Sequence, residues 1–171
     1  MTNTINTVIT PDRIAWAERR DRKGRSRLAP LLLKMAGKRR LRQRAMALAY
    51  KFEHGRFFSR TAREILSKHC GVTVGLYSYG PCLVPGALPP GTVVGRYCSI
   101  ADGLSIHRRN HPIERLTQHP FLYNSAVGLV PEDTIEKVRD NPLEIGHDVW
   151  IGDRVTVLST CRRIGNGAVI G

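Results

Sequence analysis

A six-residue repeat over residues 145–171 constrains the fold of this chain more than any other feature. Aliphatic residues stand at Ile145, Ile151 and Val157, and after one extra residue the spacing resumes at Ile164 and Ile170. This period fits neither an α-helix nor an ordinary β-strand. Repeats of six residues are typical of β-helices, in which each unit forms one short side of a coil. The aliphatic side chains are therefore predicted to point inwards.

Glycines and upstream copies of the pattern extend this prediction. Glycine follows the aliphatic residue at positions 146, 152, 165 and 171, where we expect it to supply the backbone angles needed near a corner of the coil. The same phase recurs over residues 94–107, and a single unit begins at Val74. Between these units, residues 81–91 are rich in Pro and Gly and are predicted to form an irregular excursion.

The charge of the chain divides near residue 70. Residues 1–70 contain 18 Lys and Arg against five Asp and Glu, whereas residues 71–171 contain nine of each kind. A basic, largely helical segment over 1–70 is therefore predicted to precede a neutral repeat domain over 71–171. The segment could pack on that domain, which is the favoured interpretation, or contact an anionic membrane surface through residues 13–68. Nucleic-acid binding is least favoured, because no base-reading or base-stacking motif accompanies the basic residues.

Helices are indicated within this N-terminal segment. Residues 14–27 have a helical composition that Gly24 interrupts, and residues 28–52 show apolar side chains at helical spacing. Thr61 and Glu64 match a capping box, in which Thr61 would cap the first turn and Glu64 would reach back. Gly71 stands where that helix should stop. Residues 1–12 are polar and are expected to be mobile.

The cysteines and the hydropathy indicate a cytoplasmic protein. The cysteines at positions 70, 82, 98 and 161 show no paired metal-ligand spacing. No secretory signal and no apolar run of about 20 residues is apparent. The sequence therefore predicts reduced thiols in the cytoplasm, with a peripheral contact at the inner face of the membrane if the basic segment binds lipid.

A long interruption of the repeat carries several reactive side chains. Residues 107–144 separate Ile106 from Ile145 and hold three of the six histidines, at 107, 111 and 119. Long loops within compact domains are uncommon and frequently functional. Three clustered histidines also allow a metal site, but no carboxylate or cysteine stands at a familiar ligand spacing, and no metal is expected.

The order of motifs in this loop and after it resembles that of the hexapeptide-repeat acyltransferases. Asn110-His111-Pro112 is followed by His-Pro-Phe at 119–121 and by Asp-Val-Trp-Ile-Gly at 148–152. Over residues 72–171 the chain looks like the branch of xenobiotic (streptogramin- and chloramphenicol-type) and sugar O-acetyltransferases. The resemblance implies a mainly β fold, a left-handed parallel β-helix following the basic helical segment. It also implies a homotrimer with acetyl-CoA bound between neighbouring subunits.

The same resemblance implies roles for individual residues. His111 matches the family's catalytic base, which suits removal of a proton from an acceptor hydroxyl during attack on the thioester. The residues expected to bind the acceptor are Asn110, His119, Phe121, Tyr123 and Trp150, and those expected to bind the cofactor are Trp150, Gly152, Arg154 and Gly165. Trp150 could equally fill a contact between subunits.

Two departures from the family pattern leave a second function open. His147 stands where relatives commonly have Asn, which we expect to alter the packing of the loop, and the sequence reaches Gly171 at the start of a hexad. Without further coils, the chain is expected to bind acetyl-CoA poorly and to self-associate. The leading interpretation is an acetyl-CoA-dependent O-acetyltransferase acting on a sugar, a polysaccharide precursor or an antibiotic-like acceptor. The alternative is a truncated or inactive relative that serves as a trimeric scaffold.

Overall fold

The computed structural model describes residues 10–135 and 142–171. Four helices come first: α1 (Pro11–Lys23), α2 (Ala29–Ala36), α3 (Arg42–Phe52) and α4 (Arg60–Cys70). Strands of two residues each follow: β1 (Thr73–Val74), β2 (Val93–Val94), β3 (Ser99–Ile100), β4 (Ser105–Ile106), β5 (Glu144–Ile145), β6 (Trp150–Ile151), β7 (Thr156–Val157), β8 (Arg163–Ile164) and β9 (Val169–Ile170). Of the segment expected to be mobile, residues 1–9 lie outside the described residues, whereas Pro11 and Asp12 begin α1. Residues 136–141 of the long loop also lie outside the described residues.

The strands form three parallel sheets. The first sheet has the order β1–β2–β5–β8, the second β3–β6–β9, and the third consists of β4 and β7. From β2 onward, consecutive strands enter the first, second and third sheets in rotation. Each circuit of the chain therefore stacks on the one before it, an arrangement compatible with a parallel β-helix.

Helices account for more of the described residues than strands do, so the expectation of a mainly β chain is wrong. Each side of a circuit places only two residues in the parallel ladder, and the other residues of the hexad form the corners. Between β4 and β5 the described part of the long loop adds no strand, whereas the N-terminal segment adds four helices.

The second residue of each strand faces the interior, as the six-residue spacing predicts. The buried residues of this kind are Val74, Val94, Ile100, Ile145, Ile151, Val157 and Ile164, while Ile106 and Ile170 are partly buried. They stack in register, since Val94 lies opposite Ile145 and Ile145 opposite Ile164. Burial of each such side chain stabilises the fold by about 2 kcal/mol.

Three of the glycines that follow inward residues have a different cause from the one expected. Neither Gly75, Gly95 nor Gly146 has a positive φ. A Cβ on Gly95 would instead collide with the carbonyl oxygen of Gly146 in the next circuit, and one on Gly75 would collide with that of Gly95. Glycine is needed there because the backbones of successive circuits approach closely. Positive φ values belong instead to the residues two positions later, Tyr77, Tyr97 and Asp148, at 70°, 64° and 55°.

The apolar stretch over 28–52 forms two helices rather than one. Helix α2 ends before Gly37, Lys38 has an extended backbone, and a short 3-10 turn, Arg39–Leu41, precedes α3. Glycine weakens a helix at such a point, and the break allows α2 and α3 to pack against each other. Helix α1 is followed by Gly24, the interruption that its composition indicates.

The capping box predicted for α4 is wrong. Ser59 is the N-cap, and its hydroxyl oxygen accepts a hydrogen bond from the Ala62 N–H at 3.1 Å. Ser59 has the extended backbone that this bond requires, whereas Thr61 already lies within the helix, and Glu64 forms ion pairs instead. The predicted stop at Gly71 is confirmed, because this residue has a left-handed backbone with φ 67°.

The helices pack on the strands through one continuous apolar cluster. Leu32, Ala45 and Met46 of the helices belong to the same buried cluster as Val94 and Ile145 of the first sheet. The buried sides of these helices therefore pack on the repeat, as in the favoured interpretation of the N-terminal segment.

Two segments interrupt the strands where the sequence predicts them. The excursion over 81–91 contains the 3-10 turn Pro81–Leu83 and no strand, and the long loop leaves after β4 and returns at β5. The four cysteines are free. None of the described helices combines the length and the apolar character needed to cross a membrane.

Candidate active site

The long loop is fixed to the strands at its start and is braced internally by an arginine. The N–H of His107 donates to the carbonyl oxygen of Val157 at 2.9 Å. Arg115 donates from Nη1 to the Thr134 hydroxyl at 2.5 Å and from Nη2 to the Thr134 carbonyl at 2.7 Å. The same Nη1 lies 3.3 Å from the carbonyl oxygen of Leu122. Arg115 thus ties the histidine-bearing half of the loop to its later half.

His111, the predicted general base, has one ring nitrogen fixed by the loop. Its Nδ1 lies 2.9 Å from the carbonyl oxygen of Gln118 and 3.1 Å from the hydroxyl oxygen of Tyr123. Because a carbonyl oxygen can only accept, we assign the proton to Nδ1, which donates to Gln118 and has the Tyr123 oxygen as a second acceptor. The lone pair of the neutral imidazole is then on Nε2, the nitrogen left to act as a base.

Tyr123 supports this imidazole with a buried ring. The two rings meet edge-on with their centroids 6.1 Å apart. Tyr123 is only 6% exposed, whereas His111 is exposed. Tyr123 therefore holds a buried phenol against an accessible imidazole. Its contact with an acceptor stays a prediction.

His119 has the opposite hydrogen-bonding pattern. Its Nδ1 accepts a hydrogen bond from the Phe121 N–H at 3.3 Å at the start of the 3-10 turn Pro120–Leu122. The neutral ring therefore carries its proton on Nε2 and presents a donor there in place of a lone pair. This difference favours His111 over His119 as the base. The rings of His119 and Phe121 also pack together at 4.3 Å, and both residues are exposed, as is Asn110.

The predicted cofactor-binding residues lie on and beside the strands. Trp150 is the first residue of β6 and is 57% exposed on the outer side of its sheet. Gly152 follows the same strand, Gly165 follows β8, and Arg154 occupies an exposed corner with φ 56°. Among the described residues, no hydrogen bond or ring contact joins any of these four to His111. Their role in binding a cofactor stays a prediction.

His147 contacts a neighbouring circuit rather than the described part of the loop. Its Nδ1 accepts a hydrogen bond from the Arg96 N–H at 2.9 Å, and its own N–H donates to the side-chain oxygen of Asn166 at 2.8 Å. The three residues occupy the same corner of successive circuits, so His147 links stacked turns of the backbone.

Two contributors to the site were not predicted from the sequence. Gln118 contributes its backbone carbonyl, which any residue type would supply, so the sequence gives no signal for it. Arg115 is one of several arginines in the loop, and only its contacts distinguish it. Within the described ranges, no group of three or more His, Cys, Asp and Glu side chains is placed to hold a metal ion.

Comparison with known proteins gives one partial similarity. The chain is 32% identical over 84 residues to a curated protein of Lysinibacillus sphaericus named as a probable macrolide acetyltransferase. The aligned part is 46% of this chain and 44% of that relative, so the chain matches less than half of the relative's length. No protein-family model matches the chain, and no solved structure gives a significant match.

Proposed function

We propose that this chain is an acetyl-CoA-dependent O-acetyltransferase in which His111 is the general base. The observation that carries the proposal is the 2.9 Å hydrogen bond from Nδ1 of His111 to the Gln118 carbonyl, because it leaves Nε2 as the basic nitrogen. The partial similarity to a probable macrolide acetyltransferase supports acetyl transfer in general. The order of motifs from Asn110 to Gly152 supports an oxygen acceptor.

The proposed transfer is direct. Nε2 of His111 removes the proton of the acceptor hydroxyl while the hydroxyl oxygen attacks the carbonyl carbon of the thioester. Collapse of the tetrahedral intermediate breaks the carbon–sulfur bond, and the imidazolium returns the proton to the departing thiolate. The products are an acetyl ester and a free thiol. The oxygens of Gln118 and Tyr123 beside Nδ1 would stabilise the positive charge that the imidazole gains.

The proposed acceptor is a hydroxyl group on a sugar, a polysaccharide precursor or an antibiotic-like compound. The exposed pair of His119 and Phe121 offers a hydrogen-bonding group beside an apolar ring, eight to ten residues beyond His111. Asn110 adjoins the base directly and adds an amide. The name of the relative adds macrolides to the acceptors worth testing.

For the donor, we propose a left-handed β-helix over residues 71–171, assembled as a homotrimer and preceded by the helical segment over 1–70. Acetyl-CoA would lie between subunits, with Trp150, Gly152, Arg154 and Gly165 of one subunit facing His111 of its neighbour. The exposure of Trp150 beside Val169, its partner in register on the same sheet, supports this proposal. Large apolar side chains grouped on a surface frequently mark a contact with a ligand or a partner.

A screen of acceptors with the full chain and acetyl-CoA tests the proposal. Released thiol is followed by its absorbance with a thiol reagent, and the product is identified by mass spectrometry. We expect an O-acetyl ester from a sugar or macrolide hydroxyl, and a trimer in sedimentation velocity. An amide formed only on amine acceptors would contradict the choice of oxygen. A trimer that neither binds acetyl-CoA in calorimetry nor turns over any acceptor would favour the scaffold alternative.

A further inference from the structure

A cavity of about 960 Å³ lies between the helical segment and the excursion over 81–91. One side is formed by Arg39 and Arg40 of the 3-10 turn, Arg42 at the start of α3 and His69 near the end of α4. The other side is formed by prolines and a glycine of the excursion. A volume of this order is typical of sites for small organic molecules. None of these residues belongs to the proposed active site.

The lining of this cavity has a large excess of positive charge. Its described residues include three arginines and a histidine, and none is acidic. Within the described chain, Arg39, Arg40 and Arg42 form no ion pair, whereas several other basic side chains of the helical segment do. The arginines also gather at the N-terminal end of α3, which has no acidic residue in its first turn. Positive side chains are unfavourable at that end of a helix, so an anion bound there would stabilise the cluster.

Arg42 is held in place with part of its donor capacity unused. Its Nε donates to the carbonyl oxygen of Ala36 at 3.2 Å, and its Nη1 donates to the sulfur of Cys70 at 3.7 Å. These bonds fix the guanidinium between the ends of α2 and α4. They occupy two of the five N–H donors of an arginine. The remaining donors form the planar fork that suits phosphate oxygens.

The opposite side of the cavity is also anchored. The N–H of Gly91 donates to the carbonyl oxygen of Gly71 at 2.7 Å, which joins the excursion to the end of α4. The hydroxyl of Tyr50 on α3 donates to the carbonyl oxygen of Leu83 at 3.1 Å. Both ends of the excursion are therefore tied to helices, and the cavity is formed before any ligand arrives. A preformed site loses less free energy to ordering when it binds.

We propose that this cavity is a binding site for a phosphate group, carried either by a free phosphorylated molecule or by a lipid headgroup. The guanidinium groups of Arg39, Arg40 and Arg42 would donate to the phosphate oxygens, and a ring N–H of His69 would add a fourth donor. Phosphate matches this set because it combines more than one negative charge with several acceptor oxygens.

Inorganic pyrophosphate is a suitable probe, and matched double variants provide the control. Arg39→Gln with Arg40→Gln removes two exposed charges that line the cavity. Arg44→Gln with Lys51→Gln removes two exposed charges of α3 that do not line it. Circular dichroism establishes that both variants are folded. In calorimetry with the full chain, we expect the first variant to bind pyrophosphate at least about 10-fold more weakly than the unchanged chain, and the second to bind within about 2-fold of it.

Sedimentation with vesicles of phosphatidylglycerol and phosphatidylcholine distinguishes the two sources of phosphate. A lipid headgroup is identified if the chain binds the vesicles, pyrophosphate displaces it from them, and only the Arg39→Gln, Arg40→Gln variant loses the binding. Pyrophosphate binding without vesicle binding identifies a free ligand. Equal weakening by both double variants would overturn the proposal, because it would reflect the general charge of the helices. The absence of binding to either probe would overturn it as well.

Discussion

The carboxylate of Glu53 accepts hydrogen bonds from both the backbone N–H and the hydroxyl of Thr61. The same carboxylate accepts from the Ser59 hydroxyl at 2.8 Å and from the N–H of Ser26 at 2.7 Å. Glu53 is 2% exposed, at the end of α3. It therefore joins the end of one helix, the start of the next and the linker between α1 and α2 through a single buried charge.

Replacing this charge should make the stability of the fold less dependent on pH. Burial on its own raises the pKa of Glu53. Hydrogen bonds from Thr61, Ser26 and Ser59 lower it by a larger amount, so the pKa lies below its ordinary value. Its stabilising effect is complete above the carboxyl pKa of the unfolded chain and is lost as the pH falls through the lowered pKa. We expect Glu53→Gln to reduce the free energy of unfolding at neutral pH by about 2 kcal/mol, and by less in acid.

Urea unfolding at neutral and at acidic pH measures this difference. Glu64→Gln is the control, because Glu64 forms partly exposed ion pairs with Arg25 and Lys68. Its loss should cost less than about 1 kcal/mol. If the difference in free energy of unfolding between the unchanged chain and Glu53→Gln stays constant with pH, the charge of Glu53 is not the cause of the destabilisation.

The assignment of the base predicts unequal effects for two histidines of the same loop. His111→Ala should reduce kcat by roughly 10²–10⁴-fold, the usual range when a general base is removed. The affinity for acetyl-CoA should change little. His119→Ala should mainly raise KM for the acceptor. Nε2 of His119 carries a proton, so this nitrogen can donate a hydrogen bond to the acceptor but cannot act as the base. The rate of thiol release measures both effects, and near-normal turnover by His111→Ala would remove His111 from the mechanism.

Tyr123→Phe separates the orientation of the base from binding of the acceptor. Phe keeps the ring that packs on His111 but removes the oxygen that lies 3.1 Å from Nδ1. Loss of one such hydrogen bond is expected to lower kcat by about 5- to 10-fold and to leave KM for the acceptor unchanged. Steady-state kinetics with the best acceptor provide the measurement. A raised KM with unchanged kcat would mean instead that Tyr123 contacts the acceptor.

The repeat could be predicted because the inward position of each hexad is occupied by an aliphatic residue. Ile145, Ile151 and Ile164 follow the phase that the three sheets require. The glycine positions could be found in the same way, but the cause that requires glycine at position 95 could not. That cause is the approach of two backbones that lie far apart in sequence, as between Gly95 and Gly146.

The helix cap and the tautomer of the base illustrate what the sequence does not record. Ser59 and Thr61 are both acceptable N-caps by residue type, and the hydroxyls of both donate to the carboxylate of Glu53. Only Ser59, with its extended backbone, also accepts from the Ala62 N–H. His111 could be located from its Asn-His-Pro motif. The choice between its two nitrogens depends on the carbonyl of Gln118, and any residue at that position supplies a carbonyl.

The final prediction concerns His147, which occupies the corner that Asn166 occupies one circuit later. Its Nδ1 accepts from the Arg96 N–H just as the side-chain oxygen of Asn166 accepts from the N–H of His147 one circuit later. An imidazole nitrogen and an amide oxygen thus perform the same task at one corner. His147→Asn should retain this bond and change the free energy of unfolding by less than about 0.5 kcal/mol, whereas His147→Ala should lower it by about 1 kcal/mol. Denaturant unfolding of both variants decides the matter, and equal destabilisation would mean that the ring matters for its packing rather than as an acceptor.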